Sequence, residues 1–123
     1  MKYSQYINDE LFIEGVAISK IASEISTPFY CYSSTKIESE YKDFSDAFSK
    51  INSTICYSVK ANSNLSVIRT LSNLGAGADV VSGGELLRAL KGGVSAKKIV
   101  FSGVGKTDQE LEMAIERDIL QIN

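Results

Sequence analysis

The sequence predicts an α/β fold with a parallel sheet, and three observations carry that prediction. Beyond Pro28, the chain's one proline, apolar segments of strand length alternate with segments of helical periodicity. The candidate strands begin near residues 55, 78, 98 and 119, at intervals of 23, 20 and 21 residues. The helical segments between them carry their own start or stop signals. Alternation at that period implies right-handed βαβ crossovers, so the strands run the same way and their C-termini open on one face. Ligands bind at that face whether such a sheet stays open or closes into a barrel.

Taken in order, residues 1–27 are mixed and give no clear assignment. "TKIESEYKDFSDAFSKI" places Ile37, Tyr41, Phe44, Phe48 and Ile51 on one helical face, with Thr35 and Glu38 spaced as a capping box. "ICYSV" reads as a strand. "NLSVIRTLSNLG" reads as a short helix with Leu65, Ile68 and Leu71 inward and Gly75 as its stop. "ADVV" is a strand, "GGELLRALKGG" a helix and "KIVFS" a strand. "TDQELEMAIERD" is a helix capped by Thr107 and Glu110, and "ILQIN" is a last strand.

Length and composition bound what such a fold can do. At 123 residues and 44% hydrophobic, the chain suits one modest domain or part of a larger one. Thirteen basic and fifteen acidic residues, with no basic run, argue against nucleic acid as a partner. The start "MKYSQYINDELF" lacks a signal peptide's apolar centre, and no long apolar run follows, so a cytoplasmic location without membrane contact is expected. Cys31 and Cys56 are too far apart for a metal or redox pair and sit in apolar runs, which predicts buried free thiols. There is no histidine, so catalysis would need another electrophile or a cofactor, and no metal site is expected.

The topology brings Lys60 with Asn62, Asp79 with Ser82 and Glu85, Ser102 with Gly103, and Asn123 to the ligand face. Lys60 is either a snorkelling surface lysine or an amine nucleophile toward aldehydes. Asp79 interrupts a short buried strand, where an unpaired carboxylate is costly; it is either a site residue or a structurally satisfied acid. Glu85 lies three residues after Ser82, the spacing of a capping box, and its carboxylate has a structural use there. "SGVGKT" is not a phosphate loop, because Val100 stands where the motif needs its first glycine; Lys106 is expected at the surface. "GAGADVVSGGE" fails as a dinucleotide fingerprint, since Gly75 and Gly77 precede the strand.

"CYSVKANSNLSVIRTLSNLGAGADVVSGGEL" closely resembles the cofactor segment of diaminopimelate decarboxylases, relatives of ornithine decarboxylase and more distantly of alanine racemase. "TPFYCYS" and "IVFSGVGKT" resemble the same family. The resemblance implies the first half of a (β/α)8 barrel that binds pyridoxal 5'-phosphate, with Lys60 as its Schiff-base lysine and Asp79 and Glu85 near the cofactor. It implies conversion of meso-diaminopimelate to L-lysine and carbon dioxide, by a homodimer in the full-length form. It also implies that residues 1–30 contribute to the family's β-domain and residues 31–123 form a partial barrel.

A whole barrel takes about 250 residues, so the chain is read as an N-terminal fragment or truncated product, expected to be inactive by itself. The family's stacking histidine, phosphate cradle, pyridine-side acid and substrate-binding residues lie beyond it. Alternatives are a decarboxylase of another basic amino acid, of ornithine or arginine type, and a non-catalytic α/β domain from a decayed gene. A nucleotide switch rests on "GVGKT" alone.

Overall fold

A computed structural model describes residues 3–123, and the chain divides into two compact units, Met1–Glu40 and Tyr41–Asn123.

The first unit is built on an antiparallel meander of β1 (Ser4–Ile7), β2 (Glu10–Ile13) and β3 (Val16–Ala17), followed by helix α1 (Ile18–Ile25). Its two turns explain the pairing. Asn8 and Asp9 have φ of 50° and 62°, and Glu14 and Gly15 have 50° and 84°. Positive φ at both central residues is the twist-matched geometry of two-residue hairpins. Helix α2 (Ser34–Ala47) begins differently from the expected Thr35–Glu38 box. Ser33 Oγ accepts from the Lys36 amide at 2.9 Å, and Glu14 accepts from the Thr35 amide at 2.7 Å and from the Ser33 hydroxyl. These bonds hold the Glu14 carboxyl below its ordinary range.

The second unit carries four parallel strands in unbroken chain order: β4 (Cys56–Ser58), β5 (Gly77–Val80), β6 (Ile99–Phe101) and β7 (Gln121–Ile122). Their crossovers are α3 (Leu65–Asn73), α4 (Gly83–Lys91) and α5 (Asp108–Glu116). Each helix starts at a side-chain cap: Asn64 on the Ser66 amide, Ser82 on the Glu85 amide, and a full Thr107–Glu110 capping box. Gly75, at φ 95°, follows α3 in a conformation open mainly to glycine.

Strand alternation then sorts the faces. Ala78, Val80, Ile99 and Phe101 point to the helices and join Ile68, Leu86 and Ala89 in a core from which water is excluded. Each fully buried large side chain there contributes about 1.5–3 kcal/mol. The intervening residues Cys56, Ser58, Asp79 and Val100 occupy the opposite face and are only half-buried. Helix α2 ends at Ala47, so Phe48 and Ile51 of the predicted apolar face lie beyond it; within the helix Ile37 and Tyr41 are half-buried and Phe44 is 53% exposed.

The cysteine expectation needs correcting. Both thiols are free, but Cys31 is exposed and outside any strand, and Cys56 is half-buried in β4. Burial, and then the Asp79 charge, push the Cys56 thiol above its ordinary value. A raised pKa means less thiolate at neutral pH, so exposure and ionisation act together. Iodoacetamide at pH 7.5 is therefore expected to modify Cys31 well before Cys56, read by peptide mass; equal rates would contradict the placement of Cys56.

Candidate active site

The C-terminal ends of β4 to β7 carry a hydrogen-bonded polar row. Asp79 sits in β5 directly opposite Ser58 of β4. Its carboxylate accepts from the Ser102 hydroxyl and, at 3.5 Å, the outer limit for such a bond, from Ser58. Asn123 extends the row, donating to Ser102 Oγ at 3.2 Å. Three side chains that are distant in sequence are thus joined to Asp79. The acid is structurally satisfied, at the C-terminal end of the parallel sheet.

Lys60 lies two residues past the end of β4, in a 3-10 turn spanning Val59–Ala61, and not in the strand itself. The turn is pinned on both sides. Val59 before it is fully buried, and the Tyr57 hydroxyl donates to the Asn62 carbonyl at 3.0 Å after it. Asn62 Oδ1 accepts from the Asn64 amide at 3.0 Å, closing the turn into α3. The Lys60 side chain is exposed, and among the described residues no hydrogen bond or ion pair engages its ammonium group. A fixed backbone thus presents an uncommitted amine.

Glu85 does what its capping-box spacing predicts, with one change. Its carboxylate reaches past Ser82 and accepts from the Val81 amide at 2.9 Å. It bonds neither Lys60 nor Asp79, so the structure links Asp79 to its serines but leaves Lys60 and Glu85 as separate groups at the same end of the sheet.

Two residues have roles that the sequence hid. Lys106 is not a loose surface lysine. It donates to the carbonyls of Gly103 and, at 2.6 Å, Asn123, and its ammonium lies 5.5 Å from the Phe101 ring centre. Ser58 partners Asp79, which strand alternation would have revealed once β4 and β5 were aligned.

Against this geometry, a family model described as "Pyridoxal-dependent decarboxylase, pyridoxal binding domain" matches residues 34–123. The chain belongs to the pyridoxal-dependent decarboxylases. Among its relatives in this family, the diaminopimelate decarboxylase of Pseudomonas fluorescens is 54% identical over 111 residues, covering 90% of this chain and 27% of that protein. The diaminopimelate decarboxylase of Aquifex aeolicus is 46% identical over 121 residues, covering 98% and 28%. A crystal structure of diaminopimelate decarboxylase from M. jannaschii in complex with L-lysine superposes with a TM-score of 0.93 at 38% identity, covering 98% of this chain and 29% of the other. The chain therefore spans under a third of the length of these pyridoxal-dependent decarboxylases. Its parallel strands in chain order are the expected α/β arrangement of one part of their barrel.

The pyridoxal cofactor fits the residues present at its aldehyde end. An aldehyde needs an accessible amine, and Lys60 offers one on a rigid turn. The Gly83 amide, first in α4, is not a phosphate donor, because Glu110 already accepts from it at 2.7 Å.

Proposed function

We propose that this chain is the N-terminal part of a pyridoxal-phosphate-dependent decarboxylase that converts meso-diaminopimelate to L-lysine and carbon dioxide. The observation that carries the reading is the 54% identity to a diaminopimelate decarboxylase across a segment that contains Lys60 on its pinned turn. The L-lysine held by the M. jannaschii relative is chemically the product such a reaction would release. In this reading the enzyme is a cytoplasmic homodimer, and residues 1–30 belong to its β-domain.

When bound, pyridoxal phosphate supplies the electron sink for the pair left by departing carbon dioxide. This chain's residues would prepare for that chemistry. Lys60 would hold the cofactor's aldehyde end through its amine, and the same amine, when not so engaged, would be placed to carry a proton. Asp79, fixed by Ser58 and Ser102, would place negative charge on the cofactor side of the sheet. Glu85 would keep the β5–α4 turn from drifting into that space.

Borohydride reduction in the presence of pyridoxal phosphate tests the assignment, because it fixes the pyridoxyl group to whichever lysine holds it. In the complete enzyme the label is expected on the peptide containing Lys60. Finding it on Lys36, Lys91 or Lys106 would refute the assignment. The 123-residue chain alone is expected to show no turnover of diaminopimelate; measurable release of carbon dioxide by it would make the rest of the barrel dispensable and the reading wrong.

A further inference from the structure

The "SGVGKTDQEL" segment failed as a phosphate loop, yet its carboxylate makes contacts that a helix cap does not require. Glu110 sits in the first turn of α5, where a capping box needs only its bond back to the Thr107 amide, here 3.0 Å from Oε2. Its other oxygen, Oε1, accepts from the Gly83 amide at 2.7 Å, across to the first residue of the neighbouring helix. One carboxylate therefore joins two successive strand-to-helix turns. The fit is close: a Cβ built on Gly83 would lie 3.2 Å from Glu110 Cγ, so a side chain at residue 83 would press on the bridge.

The bridged turns border the polar row. Ser82 and Glu85 flank the Gly83 amide, and Glu85 in turn holds the Val81 amide, just past the end of β5 and two residues beyond Asp79. Ser102, which donates to Asp79, opens the loop that Thr107 closes. We infer that Glu110 is a positioning residue: it clamps the β5–α4 turn to the β6–α5 loop, and so fixes Glu85 and Ser102 on either side of Asp79. The carboxylate is held below its ordinary range, first by the Gly83 amide and then by the Thr107 amide, which agrees with both bonds being made to the ionised form. The inference rests on the proposed function only for its consequence at the cofactor face; the clamp itself is a property of the chain.

Hydrogen exchange of the 123-residue chain, read amide by amide by mass spectrometry without cofactor, tests it. In Glu110→Ala, exchange at Gly83 and Thr107 should rise about tenfold or more, as expected for losing bonds to a charged acceptor, and Val81 should follow. Ala89 in mid-helix and Phe101 in the core should hold their rates. Glu110→Gln keeps one acceptor oxygen, so it should restore protection at one of the two amides and not at both. Thr107→Val, which removes the capping hydroxyl alone, should leave Gly83 protected. An unchanged Gly83 in Glu110→Ala, or a rise shared equally by Ala89 and Phe101, would overturn the clamp. Absence of a pyridoxyl label on Lys60 would count against the proposed function and leave the exchange result standing.

Discussion

Phe101→Ala is expected to cost about 3–5 kcal/mol of folding stability, the range for emptying a buried aromatic site. Phe101 is fully buried at the C-terminal end of β6 and among the largest side chains in the core, which it shares with Ile99, Val80 and Leu86. Truncation removes its transfer energy and leaves a cavity that the surrounding strands and helices can only partly close. It also takes away the ring beneath the Lys106 ammonium. Against a total stability of about 5–15 kcal/mol for a typical domain, that loss is large. Urea unfolding followed by circular dichroism provides the measurement, with Val104→Ala as the comparison, since Val104 is fully exposed in its loop. Equal midpoints for the two variants would mean that β6 does not sit in the core.

Gly77→Ala should be nearly as damaging for the opposite reason. A Cβ at this position would lie 2.2 Å from the Lys98 carbonyl oxygen and 2.9 Å from Cys56 Sγ. The first neighbour is backbone and cannot rotate away, so β5 and the end of the Ala96–Lys98 turn must separate. Overpacking of this kind costs about 1–3 kcal/mol, and a backbone clash belongs at the upper end or beyond. The double variant with Cys56→Ala separates the two contacts. It should recover only the part due to sulfur; full recovery would show that the Lys98 carbonyl yields and that the close strand approach is not needed.

Much of the second unit was legible because its signals are local. The apolar spacing of Leu65, Ile68 and Leu71 and the caps at Ser82 and Thr107 lie within single elements, and the observed strands begin within two residues of the expected positions. The hairpins of the first unit were legible in principle, since Asn8-Asp9 and Glu14-Gly15 are turn pairs, but short strands with half-exposed residues leave little alternation to read. What the sequence could not reveal was non-local. The bonds from Ser102 to Asp79, from Lys106 to the Asn123 carbonyl and from Gly83 to Glu110 each join different crossovers. Cys31 misled for a related reason: an apolar run argues for burial only when something packs on it.

The unbroken order of β4, β5, β6 and β7 also bears on how the chain acquires its structure. Each strand pairs with the one made immediately before it, roughly one crossover earlier, so no pairing in this sheet waits for a distant segment to be synthesised. A sheet with a reversed or interleaved order would have to hold an unpaired strand in reserve. Here a ribosome could deliver one strand–helix unit at a time onto a partner already in place, each new strand adding to the edge formed by the one before it.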